Sequence, residues 1–148
     1  MKKLRLWQIA TAMIVAIPLT SCGDTEEPDG KWDDMIWKTE VQATKQDDAC
    51  IVPATGGEFT FSCMNYSKPW ISSAEYEGEY YRPDVEDEER HTINWQKISL
   101  DWFKAEITDN QLKVTFDANQ QTTERPIKLT VTAGDIFYTF NFKQSANK

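Results

Sequence analysis

Histidine occurs once, at His91, and cysteine only three times, at Cys22, Cys50 and Cys63. No Cys-x-x-Cys pair is present, so the ligand set of a structural zinc site is missing. Carboxylates abound, but no alternating Asp-x-Asp-x-Asp-Gly loop arranges them for calcium. The chain has no Gly-x-Ser-x-Gly elbow and no phosphate loop. His91 sits beside Arg90 in a polar stretch rather than in a nucleophile–base motif. Many carboxylates in an acidic chain do not make a glycosidase pair, which needs a set separation in a cleft. The sequence is therefore read as non-enzymatic, with no cofactor and no metal. Long helical stripes are missing too: no window carries an apolar face at the 3.6-residue period.

Basic residues are scarce after the first few positions. Lys2, Lys3 and Arg5 precede a largely apolar run, Leu6 to Leu19. At ~1.5 Å per residue, a run of ~14 residues is too short to span a bilayer core. A positive start, a short apolar core and small residues before a cut define a secretory signal. Leu19-Thr20-Ser21-Cys22 then resembles the lipobox of bacterial lipoproteins. That resemblance implies a signal peptide over 1–21, cleavage before Cys22, and a diacylglycerol thioether on the Cys22 sulfur. Stable attachment to a membrane takes two or more acyl chains.

Removing 1–21 takes three of the 16 basic residues and none of the 24 acidic ones, leaving 13 against 24 and a net charge of −11. Such a domain repels phosphates, so nucleic acid is not an expected partner. Anionic lipid is repelled as well, which leaves the lipid on Cys22 to make the membrane contact. Residues 22–34 read as a tether, polar and acidic from Gly23 to Lys31. Acidic residues just after the lipidated cysteine also resemble the export signal of Bacteroidetes surface lipoproteins. This implies an outer-membrane protein facing the cell exterior, with the periplasmic face as the alternative.

From Trp32 onward the pattern is that of strands. A first strand is expected over Met35–Val41, with Trp37, Thr39 and Val41 on one side. Phe59, Phe61 and Cys63 alternate with polar residues, as do Leu112, Val114 and Phe116, and Ile127, Leu129 and Val131. Ile136, Tyr138, Phe140 and Phe142 close the chain in the same way. Alternation of this kind marks strands with one buried face. Turn signals separate them, among them Pro53–Gly57, Thr108-Asp109-Asn110 and Ala133-Gly134-Asp135. The expected fold is an all-β antiparallel sandwich formed by residues 35–148. Cys50 and Cys63 flank what reads as a hairpin through Pro53–Gly57. They are either a disulfide across it or two small buried thiols on neighbouring strands.

Several of these residues carry a resemblance. Val52-Pro53-Ala54-Thr55-Gly56-Gly57-Glu58-Phe59-Thr60-Phe61, then Trp70-Ile71, then Trp102, resembles the first half of a BACON domain. Leu112–Asn119, Thr123-Glu124-Arg125, Lys128–Thr132 and Phe140-Asn141-Phe142-Lys143-Gln144 resemble the second half. The likeness runs from about Ala49 to Ala146. It implies an Ig-like β-sandwich of the kind common in Bacteroidetes surface proteins, and a role in carbohydrate binding or as a spacer. Physically the same positions read as structural. Trp70 and Trp102 are expected to fill the core, Asn119 and Arg125 to bracket a turn, and Gln144 to satisfy backbone groups at the last strand.

An acidic insert at about 72–97 departs from that pattern. It places Tyr76, Tyr80, Tyr81 and Trp95 among Glu75, Glu77, Glu79, Asp84, Glu86, Asp87, Glu88 and Glu89. Flat rings stack on the C–H faces of sugars, and carboxylates accept hydrogen bonds from sugar hydroxyls. The same stretch also fits a solvated hairpin whose tyrosines pack on the sandwich, the commoner use of a charge run. Two function classes follow. One is a non-catalytic module that binds a glycan or an envelope protein. The other is a spacer or accessory subunit with no small ligand.

Overall fold

The computed structural model describes residues 32–39, 44–46 and 48–148. The signal peptide over 1–21, Cys22, the Gly23–Lys31 part of the tether and Val41 lie outside the described residues.

Among the described residues the fold is all-β, an Ig-like sandwich. The strands are β1 (Trp37–Thr39), β2 (Thr44–Gln46), β3 (Ala49–Val52), β4 (Gly57–Cys63), β5 (Trp70–Tyr76), β6 (Glu79–Tyr81), β7 (Val85–Asp87), β8 (Thr92–Ile93), β9 (Lys97–Leu100), β10 (Phe103–Thr108), β11 (Gln111–Phe116), β12 (Arg125–Ala133) and β13 (Ile136–Gln144). One sheet has the order β1-β4-β11-β10-β9, the other β2-β3-β13-β12-β5-β6, and β7 and β8 form a separate ribbon. Every pairing is antiparallel except β3 with β13. The expected antiparallel sandwich is thus mixed at that one ladder.

The alternating residues face one another across the space between the sheets. Phe59, Phe61, Leu112, Val114, Phe116, Ile127, Leu129, Val131, Phe140 and Phe142 are all buried there. Aromatic rings dominate the centre. Phe103, Phe116 and Phe142 meet at 5.1–6.4 Å, and Phe140 stacks on Phe142 at 5.8 Å. Phe, Tyr and Trp each bury 150–250 Å², so a handful of rings accounts for much of the inter-sheet contact.

Three expectations change. First, Cys50 and Cys63 do not flank a hairpin. The turn closed by Gly56 N–H to Pro53 O at 2.9 Å carries the chain from one sheet to the other, so β3 and β4 never pair. Val52 and Phe59 both point into the core, each from its own sheet. No disulfide joins the two cysteines. Second, Trp70 is not in the core. Its neighbour Ile71 faces inward, and the two-residue period turns Trp70 to the outer face opposite Thr132. Trp102 is half-buried at the core's margin, touching Phe103 and Phe116 rings at 6.1 Å. Third, the first strand begins at Trp37 rather than Met35, and is described over Trp37–Thr39 with Met35 buried just ahead of it; its expected end at Val41 lies outside the described residues.

The sandwich has two unlike ends. At one end lie the entry segment 33–36, the close of β4 and the β10–β11 and β12–β13 turns. Met64 N–H donates to Ile36 O, Cys63 N–H to Asn110 O, and Trp37 meets Tyr138. Residues 95–96 clasp the two sheets there, with Ile71 N–H donating to Trp95 O and Ile107 N–H to Gln96 O. We refer to this as the tether end. At the far end, Asn119 and Gln144 are buried. Asn119 Nδ2 donates to Thr123 O and Ser145 O at 2.8 and 3.0 Å, and its Oδ1 accepts from Gln121 N–H. Gln144 Nε2 donates to Asp117 O at 2.7 Å and, more weakly, to Pro53 O at 3.5 Å. Gln144 thus satisfies backbone carbonyls beside the last strand, as expected of it.

Candidate functional site

The far end holds an aromatic groove, built where two tight turns meet. Glu77 and Gly78 carry positive φ of 52° and 81°, as a two-residue type I′ turn requires, and they fold β6 back on β5. The register sets Tyr81 opposite buried Ala74, so Tyr81 leans inward beside Tyr76. On the other sheet, β9 turns into β10 through Asp101 and Trp102. The two turns leave a groove of about 300 Å³ lined by Tyr76, Tyr81, Ser99, Leu100, Asp101 and Trp102.

Trp102 organises this groove. Its ring takes the edge of Tyr76 at 5.0 Å on one side, and the Arg125 guanidinium lies 4.9 Å from its centroid. A cation on an indole face is held by the ring's quadrupole. Arg125 is nine-tenths buried, and its Nη1 has no hydrogen-bond partner among the described residues. Burial lifts the Tyr76 hydroxyl above the ordinary tyrosine range; the hydrogen bond and charge of Glu77 push it the same way, against the opposing charge of Arg125. Tyr76 therefore stays a neutral hydroxyl, a donor and an acceptor at once. The groove offers two phenols, an indole and the Asp101 carboxylate. That chemistry suits a hydroxylated ligand with an apolar face. Ser99 is engaged elsewhere, donating from Oγ to Asp84 Oδ2 at 2.7 Å.

The four aromatic residues expected to act together are split by the fold. Tyr76 and Tyr81 form the groove. Tyr80 is 75% exposed and lies on the other face of β6, across from Glu75, which pairs with Lys128 at 3.3 Å. Trp95 is at the tether end, where it lines an open depression with Trp70 and Gln96. A single platform of Tyr76, Tyr80, Tyr81 and Trp95 is thus corrected, because strand alternation and the clasp at 95–96 send them to three surfaces. Trp102, assigned to the core from sequence, is the residue that completes the groove; its place in a two-residue turn was the available signal.

The insert is shorter than expected. Ser72–Tyr76 belong to β5, an integral strand of the six-stranded sheet. The true excursion is the β7–β8 ribbon. Its acidic tip is locally satisfied: Asp87 Oδ1 accepts from Glu89 and Arg90 N–H at 3.0 and 3.1 Å. Asp84 staples the base to β9 through Ser99. His91 is exposed. Among the described residues no group of three or more His, Cys, Asp or Glu is placed to hold a metal ion, and no helix is long and apolar enough to cross a membrane.

These features define a small all-β sandwich with one aromatic groove at its far end. An NMR structure of a protein from Bacteroides thetaiotaomicron is similar, at 30% identity and a TM-score of 0.67. The match covers 84% of this chain and 98% of that one. The chain belongs to the same family as that Bacteroides protein. No protein-family model matches the chain, and no curated protein does.

Proposed function

We propose that the chain is an outer-membrane lipoprotein, held by lipid on Cys22 and exposed at the cell surface. Its BACON-like sandwich acts there as a non-catalytic binding module, with glycans as the first ligand class. The observation that carries this reading is the groove of Tyr76, Tyr81 and Trp102 beside Asp101, at the end of the sandwich opposite the tether. A module anchored by its N-terminus presents that end outward. The soluble Gly23–Lys148 fragment on a glycan array tests it. Tyr81→Ala and Asp101→Ala are expected to weaken a hit about tenfold, or ~1.4 kcal/mol. A hit that survives both changes would remove the groove from the account. For location, protease added to intact cells should cleave a surface protein, and an uncleaved chain would put it on the periplasmic face.

A second reading is a spacer or accessory subunit of an envelope complex with no small ligand. The packing of Tyr76 and Tyr81 against the core favours it, since rings held in this way need no ligand to explain them. An array with no hit, together with co-purification of an envelope protein with the full chain, is the outcome this reading expects.

A further inference from the structure

The large apolar residues exposed on the described surface are unevenly placed. Seven are exposed: Trp32, Ile36, Met64, Tyr80, Val85, Trp95 and Phe137. Five of them, all but Tyr80 and Val85, lie at the tether end. Segment 33–36 is pinned there by four hydrogen bonds: Ile36 N–H to Asn65 Oδ1 at 2.9 Å, Asn65 Nδ2 to Asp34 O at 2.8 Å, Tyr66 OH to Asp33 O at 2.6 Å, and Met64 N–H to Ile36 O at 2.8 Å. This fixes the backbone that carries Trp32 and Ile36 against that of Met64. Phe137 pairs with Thr132, and Thr132 with Trp70, so Phe137 and Trp70 share one face of the same end. Trp95 adjoins Trp70 across the open depression. Trp32, Trp95 and Phe137 are 58%, 47% and 61% exposed.

We propose that this end rests on the membrane: Trp32, Ile36, Met64, Trp95 and Phe137 enter the interfacial layer of the leaflet that holds Cys22. The inference rests on the lipid-anchor reading of Cys22. Nine residues, Gly23–Lys31, separate Cys22 from Trp32. Even fully extended they reach at most ~35 Å, so the anchored leaflet is the surface nearest this end. Trp is enriched at membrane–water interfaces because its amphipathic ring suits the headgroup layer. The patch is too small to hold a free protein firmly. A tether converts such weak contact into an intramolecular event at high effective concentration. Charged residues at this end include Asp33, Asp34, Asp109 and Asp135 beside Lys68 and Lys97, so the contact must be made by the apolar side chains and suits zwitterionic lipid rather than anionic lipid. Docking in this way would hold the groove of Tyr76, Tyr81 and Trp102 away from the membrane.

The full chain, processed in a bacterial host and reconstituted into phosphatidylcholine vesicles with or without brominated acyl chains, tests the proposal by tryptophan emission. Bromine carried near the top of the acyl chains, just beneath the headgroups, quenches rings seated in the interfacial layer. Of the six tryptophans, Trp7 leaves with the signal, and two of the remaining five are at the patch. Loss of roughly two-fifths of the emission is therefore expected. Trp32→Phe combined with Trp95→Phe, both at exposed positions, should abolish most of that loss. Intact mass of the same preparation reports the acyl groups on Cys22. A chain without them overturns both the anchor and the docking. An acylated chain whose emission is unquenched overturns the docking alone. Sedimentation of the acylated chain as a dimer that Phe137→Ser dissociates would assign the patch to a second copy, and would also overturn it.

Discussion

Gly56 shows how closely one residue can determine the sheet switch. Its φ is +74°, and a Cβ built there would lie 2.1 Å from the Phe116 carbonyl oxygen. Gly56→Ala must therefore move the backbone of β11 as well as strain its own. A loss of about 3 kcal/mol or more is expected in chemical denaturation. Gly78 has the same sign of φ, +81°, but open space around it. Gly78→Ala should cost only the left-handed strain, ~1 kcal/mol. Equal losses at the two sites would mean that close approach at Gly56 is not what matters. Asn119 makes three side-chain hydrogen bonds in a buried site, two of them to the Thr123 and Ser145 carbonyls. Asn119→Ala is expected to cost ~2–4 kcal/mol. Tyr76 supplies a pH test. Its folded pKa is raised, chiefly by burial. The neutral hydroxyl therefore adds stability that is fully present below pH ~10 and is lost as pH climbs through the folded value. Tyr76→Phe should flatten part of the alkaline decline in melting temperature. An unchanged slope above pH ~10 would count against a half-buried, neutral Tyr76.

At the scale of elements, the β7–β8 ribbon tests how the acidic stretch relates to the sandwich. Among the described residues its ladder is internal, and Asp84 with Asn94 closes its base against β9. Replacing 86–91 by a short turn should leave the melting temperature nearly unchanged. It should also leave the proposed glycan binding intact, since the groove uses none of those residues. Loss of binding would move the site into the ribbon. The same region shows what could be read from sequence. β4, β11, β12 and β13 were legible because each alternates strictly and buries one face, which is a local property. β5 was hidden: Trp70, Ser72 and Ser73 break the alternation, and a register shift opposite Thr130/Val131 lets the strand carry an extra residue. β10 does alternate, Phe103-Lys104-Ala105-Glu106-Ile107, but its small Ala105 weakens the signal. The sheet assignment of β3 and β4 was not legible at all, because a turn sequence at Pro53–Gly57 is compatible with a hairpin or a crossover. Only burial of Val52 and Phe59 from opposite sheets decides between them. The groove was half legible. Tyr76 and Tyr81 were evident, whereas Trp102 reaches them only through long-range pairing, and Tyr80 and Trp95 are sent elsewhere by alternation and by the clasp at 95–96.

At the scale of the whole molecule, the two ends of the sandwich differ in character. The apolar tether end carries Trp32, Ile36, Met64, Trp95 and Phe137, and the far end carries a polar lock of Asn119 and Gln144 around an aromatic groove. On the function proposed above, that arrangement would give the two ends separate tasks, contact with lipid and contact with a ligand. The most direct measurement of the central claim is titration of the soluble Gly23–Lys148 fragment with an array-positive glycan, followed by isothermal calorimetry, beside its Tyr81→Ala and Trp95→Ala variants. Affinity is expected to fall about tenfold in Tyr81→Ala and to be unchanged in Trp95→Ala. Loss of affinity in Trp95→Ala with Tyr81→Ala unaffected would contradict it, and would place ligand recognition at the tether end.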